Sequence, residues 1–459
     1  MTNRSHVFGI IGAGISGIAA AKHCLEQGYK VIIFEKESSI GGAWVSKGYE
    51  GLKLQTTKNS YSFSDFPHFP STGFYPNREE LLNYFQEYCS KYDIFKYCKL
   101  DTQVMKAKFH SDIHKWEITY QNKEGCTSIH TDFLIVASGF YTQPKFPNIV
   151  VSKNNKKVIH SSEFSLTGNY DYTIFKDKNV VVIGNGPTGC DLATLAHDKG
   201  AKKVTILYRT NRWIFRRFWG FGGSTDFMVS RFIQTMANIL NTDIFVILMI
   251  LATLFLELPR GNFSMKFKPP FAPPTRANLA LNDKIVNYIN YGSIDYIKAK
   301  DILVTCDNII YNDEKQSLNY DLCIMATGFE SNIPFLNFKK IPNLYKRIIH
   351  PNLPNCCFIG FAPSFNWIQV SELQIQWYLH FIKKNHNISR EMMNKQIKYE
   401  CNNISDKAHG YHDLSTLSFE YCDSLLKDIG VAPKYDILSF KYWFKSPEYD
   451  YWSIKKILK

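Results

Sequence analysis

The chain contains no Cys-x-x-Cys pair. Its eleven cysteines are scattered, none at the spacing of a zinc or iron–sulfur site, so no metal is expected. The adjacent Cys356 and Cys357 are poorly placed to bond each other. This pattern fits a reducing compartment and inert thiols. No secretory leader is expected, because an apolar strand begins within a few residues of Met1. No run is long enough to cross a bilayer. The most apolar, Ile244 to Leu256, reaches about 20 Å at ~1.5 Å per residue, against ~30 Å of hydrocarbon. There is no long basic tail either. The net charge is +13, but lysines are spread along the chain, so no nucleic-acid partner is expected. Anionic cofactors and an anionic membrane surface would account for part of that charge. Finally, no Ser-His-Asp set and no paired carboxylates stand out.

What is present is one motif, twice. Val7-Phe-Gly-Ile-Ile11 runs into Gly12-Ala-Gly14-Ile-Ser16-Gly17, and Val180-Val-Val-Ile183 runs into Gly184-Asn-Gly186-Pro-Thr188-Gly189. The first glycine makes a tight turn, the second lets backbone approach a pyrophosphate, and the third lets helix pack on strand. The phosphates then meet the free N–H groups and positive end of the helix. After the first turn the pattern predicts a helix from about Ile15 to Gln27 and a strand over Lys30 to Glu35. Glu35 lies at roughly the 20-residue spacing of an acid that binds unphosphorylated ribose hydroxyls. After the second, Pro187 opens a helix, Gly200 ends it, and the strand Lys203 to Tyr208 leads to Arg209 instead of an acid. Arg212, Arg216 and Arg217 follow. Arginine there favours a ribose 2′-phosphate. The first site therefore reads as FAD and the second as NADPH, two nucleotides held face to face. Asp191, on the second helix, either orients its glycine turn or is a solvated first-turn acid.

Phe133-Leu-Ile-Val-Ala-Ser-Gly-Phe140 and Leu322-Cys-Ile-Met-Ala-Thr327-Gly328-Phe329 echo each other. Each looks like the closing strand of one dinucleotide-binding half, with Gly139 and Gly328 turning the chain away beside the cofactor. The expected fold is α/β with two Rossmann-like domains, the NADP domain inserted into a discontinuous FAD domain. The expected bounds are 1–165 and 330–459 for FAD, the latter with C-terminal helices, and 166–329 for NADP, with an apolar insertion near 212–276. The stretches 152–157 and 262–276 read as loops. For 244–256 three readings stay open: a helix buried within the protein, a lid over an apolar substrate channel, or a segment in peripheral contact with the cytosolic face of a membrane, otherwise leaving the protein cytoplasmic.

Further segments carry a resemblance. They are Ile40-Gly-Gly42-Ala43-Trp44, Leu54-Gln55-Thr56, Phe63-Ser-Asp-Phe-Pro67, Tyr75-Pro-Asn-Arg-Glu-Glu80, His160-Ser-Ser-Glu-Phe164, Ala326-Thr-Gly-Phe329 and Ser371-Glu-Leu-Gln374. In this order they resemble the flavin-containing monooxygenases over nearly the whole chain, and the Leu-Gln-Thr segment is similar to the plant-type branch. There are departures. Phe146-Pro-Asn148 stands where the family fingerprint has Phe-x-Gly. Gln55 stands where animal members carry an asparagine. Residues 451–459 form no apolar anchor. Phe164 replaces the tryptophan of Baeyer–Villiger relatives.

The resemblance implies a cycle in which NADPH reduces the flavin, the flavin captures O₂ as a C4a-hydroperoxide, and one oxygen passes to a nucleophilic amine nitrogen or thioether sulfur of a small molecule. It implies that Gly42, Ala43 and Trp44 lie along the FAD, that Thr327 and Gly328 border a cofactor, and that Gln55 steadies the peroxide. His160 reads as a structural histidine. Two alternatives stay open, a dithiol reductase, for which no cysteine pair is present, and a quiet NADPH-binding flavoprotein sensor.

Overall fold

The structure is a computed structural model that describes residues 6–147, 149, 157–165, 170–219, 223–224, 244, 247–248, 251, 255, 279–384, 388–404 and 418–431. Of the expected loop 152–157 all but Lys157 lies outside the described residues, as do the whole of the expected loop 262–276 and most of 244–256. The chain divides into two compact units. Unit 1 is Met1–Ser46, Lys58–Gln143 and Glu330–Lys459; unit 2 is Lys47–Thr57 and Pro144–Phe329.

In unit 1, strand β1 (Val7–Ile11), helix α1 (Ile15–Glu26) and strand β2 (Lys30–Phe34) form a parallel crossover unit. Helix α2 (Arg78–Lys91) starts at Asn77, which accepts from the Glu80 N–H while Glu80 reaches back to the Asn77 N–H. This is a reciprocal cap. A short edge strand β3 (Cys98–Lys99) follows. Then an antiparallel sheet, β4 (Gln103–His110), β5 (Lys115–Asn122) and β6 (Gly125–Thr131), precedes β7 (Phe133–Val136). Strand β5 alternates as a half-buried strand should: Trp116, Ile118 and Tyr120 are buried, while Glu117 and Thr119 face outward.

Unit 2 opens with β8 (Val158–His160), then β9 (Asn179–Ile183), α3 (Pro187–Asp198), β10 (Lys203–Tyr208), β11 (Trp213–Phe215), β12 (Leu279–Leu281), β13 (Ile294–Lys298) and β14 (Leu322–Met325). Five of these make a parallel sheet in the order β13-β10-β9-β14-β8. The boundary expected at 165 falls at Gln143/Pro144 because β8 is the edge strand of this sheet, with Val158, Ile159 and His160 paired to Cys323, Ile324 and Met325. Hydrophobic runs such as Val180 to Ile183 are buried throughout, as strands covered on both faces require.

The chain then returns to unit 1 with β15 (Cys356–Phe358), α4 (Trp367–Lys383) and α5 (Ser418–Asp428). The unit 1 sheet runs β15-β7-β1-β2-β3 and is parallel. Helix α1 carries Ala19, Ala20 and Ala21 on buried positions and packs against α4. The Ser371-Glu-Leu-Gln374 segment makes that packing specific. The Ser371 hydroxyl lies 2.9 Å from that of Ser16, and Gln374 accepts from the Gly360 N–H at 2.9 Å. Glu372 accepts from the Ser64 N–H at 2.9 Å. Buried Lys22 pairs with Asp65 at 2.6 Å and Glu26 at 2.8 Å. The carboxylates offset the cost of burying the ammonium.

Candidate functional site

The two glycine turns adopt the same local solution. Gly12 has φ +105°, and a Cβ there would lie 2.5 Å from the Ala137 carbonyl oxygen; Gly184 has φ +115° and faces the Ala326 carbonyl in the same way. A Cβ on Gly17 would overlap the Gly12 oxygen, and one on Gly189 the Gly184 oxygen. These four glycines are required by backbone approach alone. The second glycine of each motif is different. Gly14 meets only Gly42 within 4 Å, at 3.6 Å from its Cα, and Gly186 meets only the Arg212 guanidinium carbon, at 4.0 Å. Each is the N-cap of its helix and offers no side-chain acceptor. The open space and free N–H groups lie where a pyrophosphate belongs.

In unit 1, Glu35 is buried at the end of β2. It accepts from the Ala13 N–H at 2.6 Å and the Glu37 N–H at 3.0 Å, and burial raises its carboxyl above the ordinary range. Gly42, at φ +59°, brings its backbone against Gly14. Ala43 is exposed at the start of the turn Ala43–Ser46. Trp44 donates to the Tyr61 hydroxyl at 3.0 Å, while its carbonyl accepts from Arg78 Nε at 2.7 Å. The Ser16 hydroxyl is engaged by Ser371, so it serves the α1–α4 contact.

Three groups not expected from the sequence line the same region. Ser138 is beside Gly12, its Cα 3.2 Å from the position of a Cβ there. Asn366 is wholly buried at the N-terminus of α4, next to Trp367, which donates to the Gly360 carbonyl and meets Tyr141 edge-on. The Ser138 and Ser364 hydroxyls and both amide atoms of Asn366 are buried without a hydrogen-bond partner. Buried polar atoms are normally satisfied. An isoalloxazine, ribityl and pyrophosphate surface would satisfy them, so the residues present fit FAD. Motif spacing and periodicity give no sign of Ser364 and Asn366 and mark Ser138 only as part of the 133–140 segment, since the burial of all three arises from strands and helices distant in sequence.

In unit 2, Arg209 is exposed at the end of β10, and Arg212 is half-buried with its Nε unpartnered; burial lowers the Arg212 guanidinium below its ordinary value. A free buried guanidinium beside an open helix N-terminus fits a phosphorylated nucleotide. Arg217 is committed elsewhere, 2.8 Å from Asp283 and bonded to the Leu54 carbonyl. Arg216 is half-buried beside it. Asn185 braces the turn, donating to the Thr210 carbonyl and lying 2.8 Å from the Tyr296 hydroxyl. Asp191 is half-buried and hydrogen-bonded rather than solvated. It accepts from Tyr49 at 2.9 Å and Asn282 at 2.7 Å, and burial pushes its carboxyl up to about 6, opposed by those bonds. Thr188 also bonds the Tyr49 side chain.

The remaining expected residues are tied to backbone. Gln55 donates to the Leu281 carbonyl at 3.2 Å and accepts from the Leu281 N–H at 2.8 Å, extending β12 by a side chain. Thr327 donates to the Lys145 carbonyl at 2.5 Å, and the Gly328 carbonyl accepts from His160 Nε2 at 2.9 Å. His160 accepts at Nδ1 from the Ser162 N–H at 3.1 Å. It is a neutral structural histidine, and burial lowers its basicity further.

Residues 5–449 match the family described as FMO-like, flavin-binding monooxygenase-like. Probable flavin-containing monooxygenase 1 of Arabidopsis thaliana is 27% identical over 92% of this chain and 92% of its own. Dimethylaniline monooxygenase [N-oxide-forming] 2 of Cavia porcellus is 27% identical over 96% of this chain and 84% of its own. Among solved structures, S-allyl-L-cysteine S-oxygenase from Allium sativum superposes with a TM-score of 0.67 at 19% identity, covering 99% of this chain and 93% of its own. The match runs through both glycine turns and both closing strands, and the chain belongs to the flavin-binding monooxygenase-like family, as an NADPH-dependent flavoprotein monooxygenase with FAD and NADPH as its cofactors.

Proposed function

We propose that this monooxygenase places one oxygen atom on a nucleophilic nitrogen or sulfur of a small amine or thioether. The sequence marker that favours these nucleophiles over ketones is Phe164. It is the residue of the His160–Phe164 segment that departs from the Baeyer–Villiger pattern, and it is wholly buried, stacked on Phe175 at 5.5 Å. The N-oxide-forming name of the Cavia porcellus relative supports the same reading.

When bound, the flavin supplies activated oxygen derived from O₂ at the expense of NADPH. The chain supplies position and dryness. In this reading Gly12, Gly14 and Gly17 bind the FAD pyrophosphate at the start of α1, and Glu35 binds its ribose. Gly42, Ala43 and Trp44 flank it, and Ser138 and Asn366 donate to and accept from its polar edges. Gly184, Gly186, Thr188 and Gly189 bind the NADPH pyrophosphate, Arg212 and Arg209 its 2′-phosphate. Thr327 and Gly328 shape the closing turn. Asp191 and Gln55 act through neighbours, Asp191 by holding Tyr49 and Asn282, Gln55 by holding β12. Incubation with NADPH, O₂ and a tertiary amine, a thioether or a cyclic ketone tests the reaction. N-oxide and sulfoxide are expected. Lactone from the ketone alone, or hydrogen peroxide with no oxygenated product, would overturn it.

Among the described residues no helix is long and apolar enough to cross a membrane. We propose cytoplasmic residence with peripheral contact through 244–256. Ile244, Ile247, Leu248, Leu251 and Phe255 are helical, 49–79% exposed, and spaced so that one face carries them. The net charge of +13 suits an anionic lipid surface. Co-sedimentation with vesicles containing phosphatidylserine should fall sharply for Leu251→Asp combined with Phe255→Asp. Equal sedimentation of the variant would remove the proposal.

A further inference from the structure

The outer face of the β4-β5-β6 sheet, remote in role from either glycine turn, carries a second kind of chemistry. Glu117 on β5 lies directly opposite His130 on β6. On the other side Glu117 pairs with Lys108 of β4, and His110 stands two residues further along the same face. Strand alternation turns all three side chains away from the core that Trp116 and Ile118 fill. Their ligating atoms all fall within 4.8 Å of one another. His110 Nε2 is 2.8 Å from a Glu117 carboxylate oxygen, and the His110 and His130 rings meet edge to face with centroids 6.0 Å apart.

We propose that His110, Glu117 and His130 form a divalent transition-metal site that clips three adjacent strands together. A tetrahedral ion with bonds of ~2.0–2.1 Å needs its ligands roughly 3.3 Å apart, which small side-chain rotations supply from the observed separations. Two imidazoles and one carboxylate suit zinc, with cobalt as its spectroscopic stand-in; magnesium and calcium prefer all-oxygen shells. The fourth position faces solvent and takes water. Strand pairing sets His130 beside Glu117, and a simple ion pair then uses only two of the three groups, whereas a metal ion uses all three. Lys108 beside Glu117 is the opposing influence, a like charge that weakens cation affinity. The site owes nothing to the oxygenase reading, and its test reads metal alone.

Untagged full-length protein is titrated with Co²⁺, followed by Zn²⁺ competition. The expected result is one visible ligand-field absorption saturating at one equivalent, displaced by Zn²⁺, with affinity falling roughly tenfold or more in His130→Ala and in Glu117→Gln. Both substitutions lie on a solvated sheet face, so the fold should survive, which far-ultraviolet circular dichroism checks. Binding unchanged in both variants would overturn the site. So would a thiolate-to-metal charge-transfer band, which would place the ion on cysteine, or the lack of any ligand-field band in the folded wild type.

Discussion

The turn after β1 and the turn after β9 use one backbone geometry for two electrostatic tasks. In both, the first glycine faces a closing-strand carbonyl, and the third sits against the oxygen of the first. They part company one strand later. Glu35 is buried and held by two backbone N–H groups, while Arg209 is exposed and Arg212 half-buried with an idle Nε. An acid can be shaped in advance by backbone donors, because its partners are hydroxyls. A guanidinium awaiting a phosphate must keep its donors free. On the proposed assignment, the adenine-side chemistry is fixed in unit 1 and left waiting in unit 2.

The sharpest break in the symmetry comes from the third glycines. Gly17→Ala should overlap the Gly12 carbonyl and displace α1 from β1, at a cost of about 1–3 kcal/mol or more for overpacking. Purified protein should then lose its yellow colour. Gly189→Ala places the same clash in unit 2, so it should keep flavin and lose NADPH-dependent flavin bleaching. If both variants lost flavin equally, the assignment of one nucleotide to each turn would fail.

Arg212→Ala comes next. Losing a charge-assisted contact of about 1.5–3 kcal/mol should raise the KM for NADPH some 10–100-fold and leave the KM for NADH nearly unchanged. Arg209→Ala should act in the same direction and less strongly, because its exposure lets solvent screen it. An unchanged ratio of NADPH to NADH preference in both would remove the phosphate role from this cluster.

How much of this was legible in the chain follows from distance in sequence. The glycine turns, their strands and the acid-to-arginine contrast are local patterns, and each appears in the structure at the expected place. The echo of Ala137-Ser-Gly139 and Ala326-Thr-Gly328 was visible as text, and its physical cause is the carbonyl that each alanine presents to a first glycine. Ser371-Glu-Leu-Gln374 was recognisable only as resemblance. Its work on Ser16 and Ser64 depends on contacts hundreds of residues apart, and only its bond to Gly360 is near in sequence. Asn366 gave no signal for the same reason, and Ser138 showed only as the small hydroxyl residue of the echo, with nothing local to mark its burial. The position of 47–57 in unit 2 was also invisible, because nothing local records that Gln55 will complete β12.

Asp191 distinguishes the turns through pH. Its carboxyl ordinarily titrates near 3.8 and in the fold near 6. Between those values the folded chain keeps a proton that the unfolded chain has lost. Its contribution therefore falls as pH rises through that window and stays lower above it. Asp191→Asn should flatten the decline in melting temperature between about pH 4 and 6 relative to the native chain. Parallel curves for the two proteins would mean the carboxyl is not held as described.

The smallest effect belongs to Gln55. Its amide makes two bonds to Leu281, each worth about 0.5–1.5 kcal/mol, so Gln55→Ala should lower stability by a similar amount and loosen β12. If Gln55 acts through that strand, Gln55→Glu should also lower stability, though less than Gln55→Ala, since a carboxylate still accepts from the Leu281 N–H but cannot donate to the Leu281 carbonyl. Both should then raise the hydrogen peroxide released per NADPH oxidised. A direct role for the amide in steadying oxygen would instead show as greater peroxide release with no loss of stability in either variant. Full stability together with tight coupling would remove Gln55 from the machinery altogether. The pairing of a melting curve with a peroxide assay thus separates a residue that holds the pocket from one that touches the chemistry.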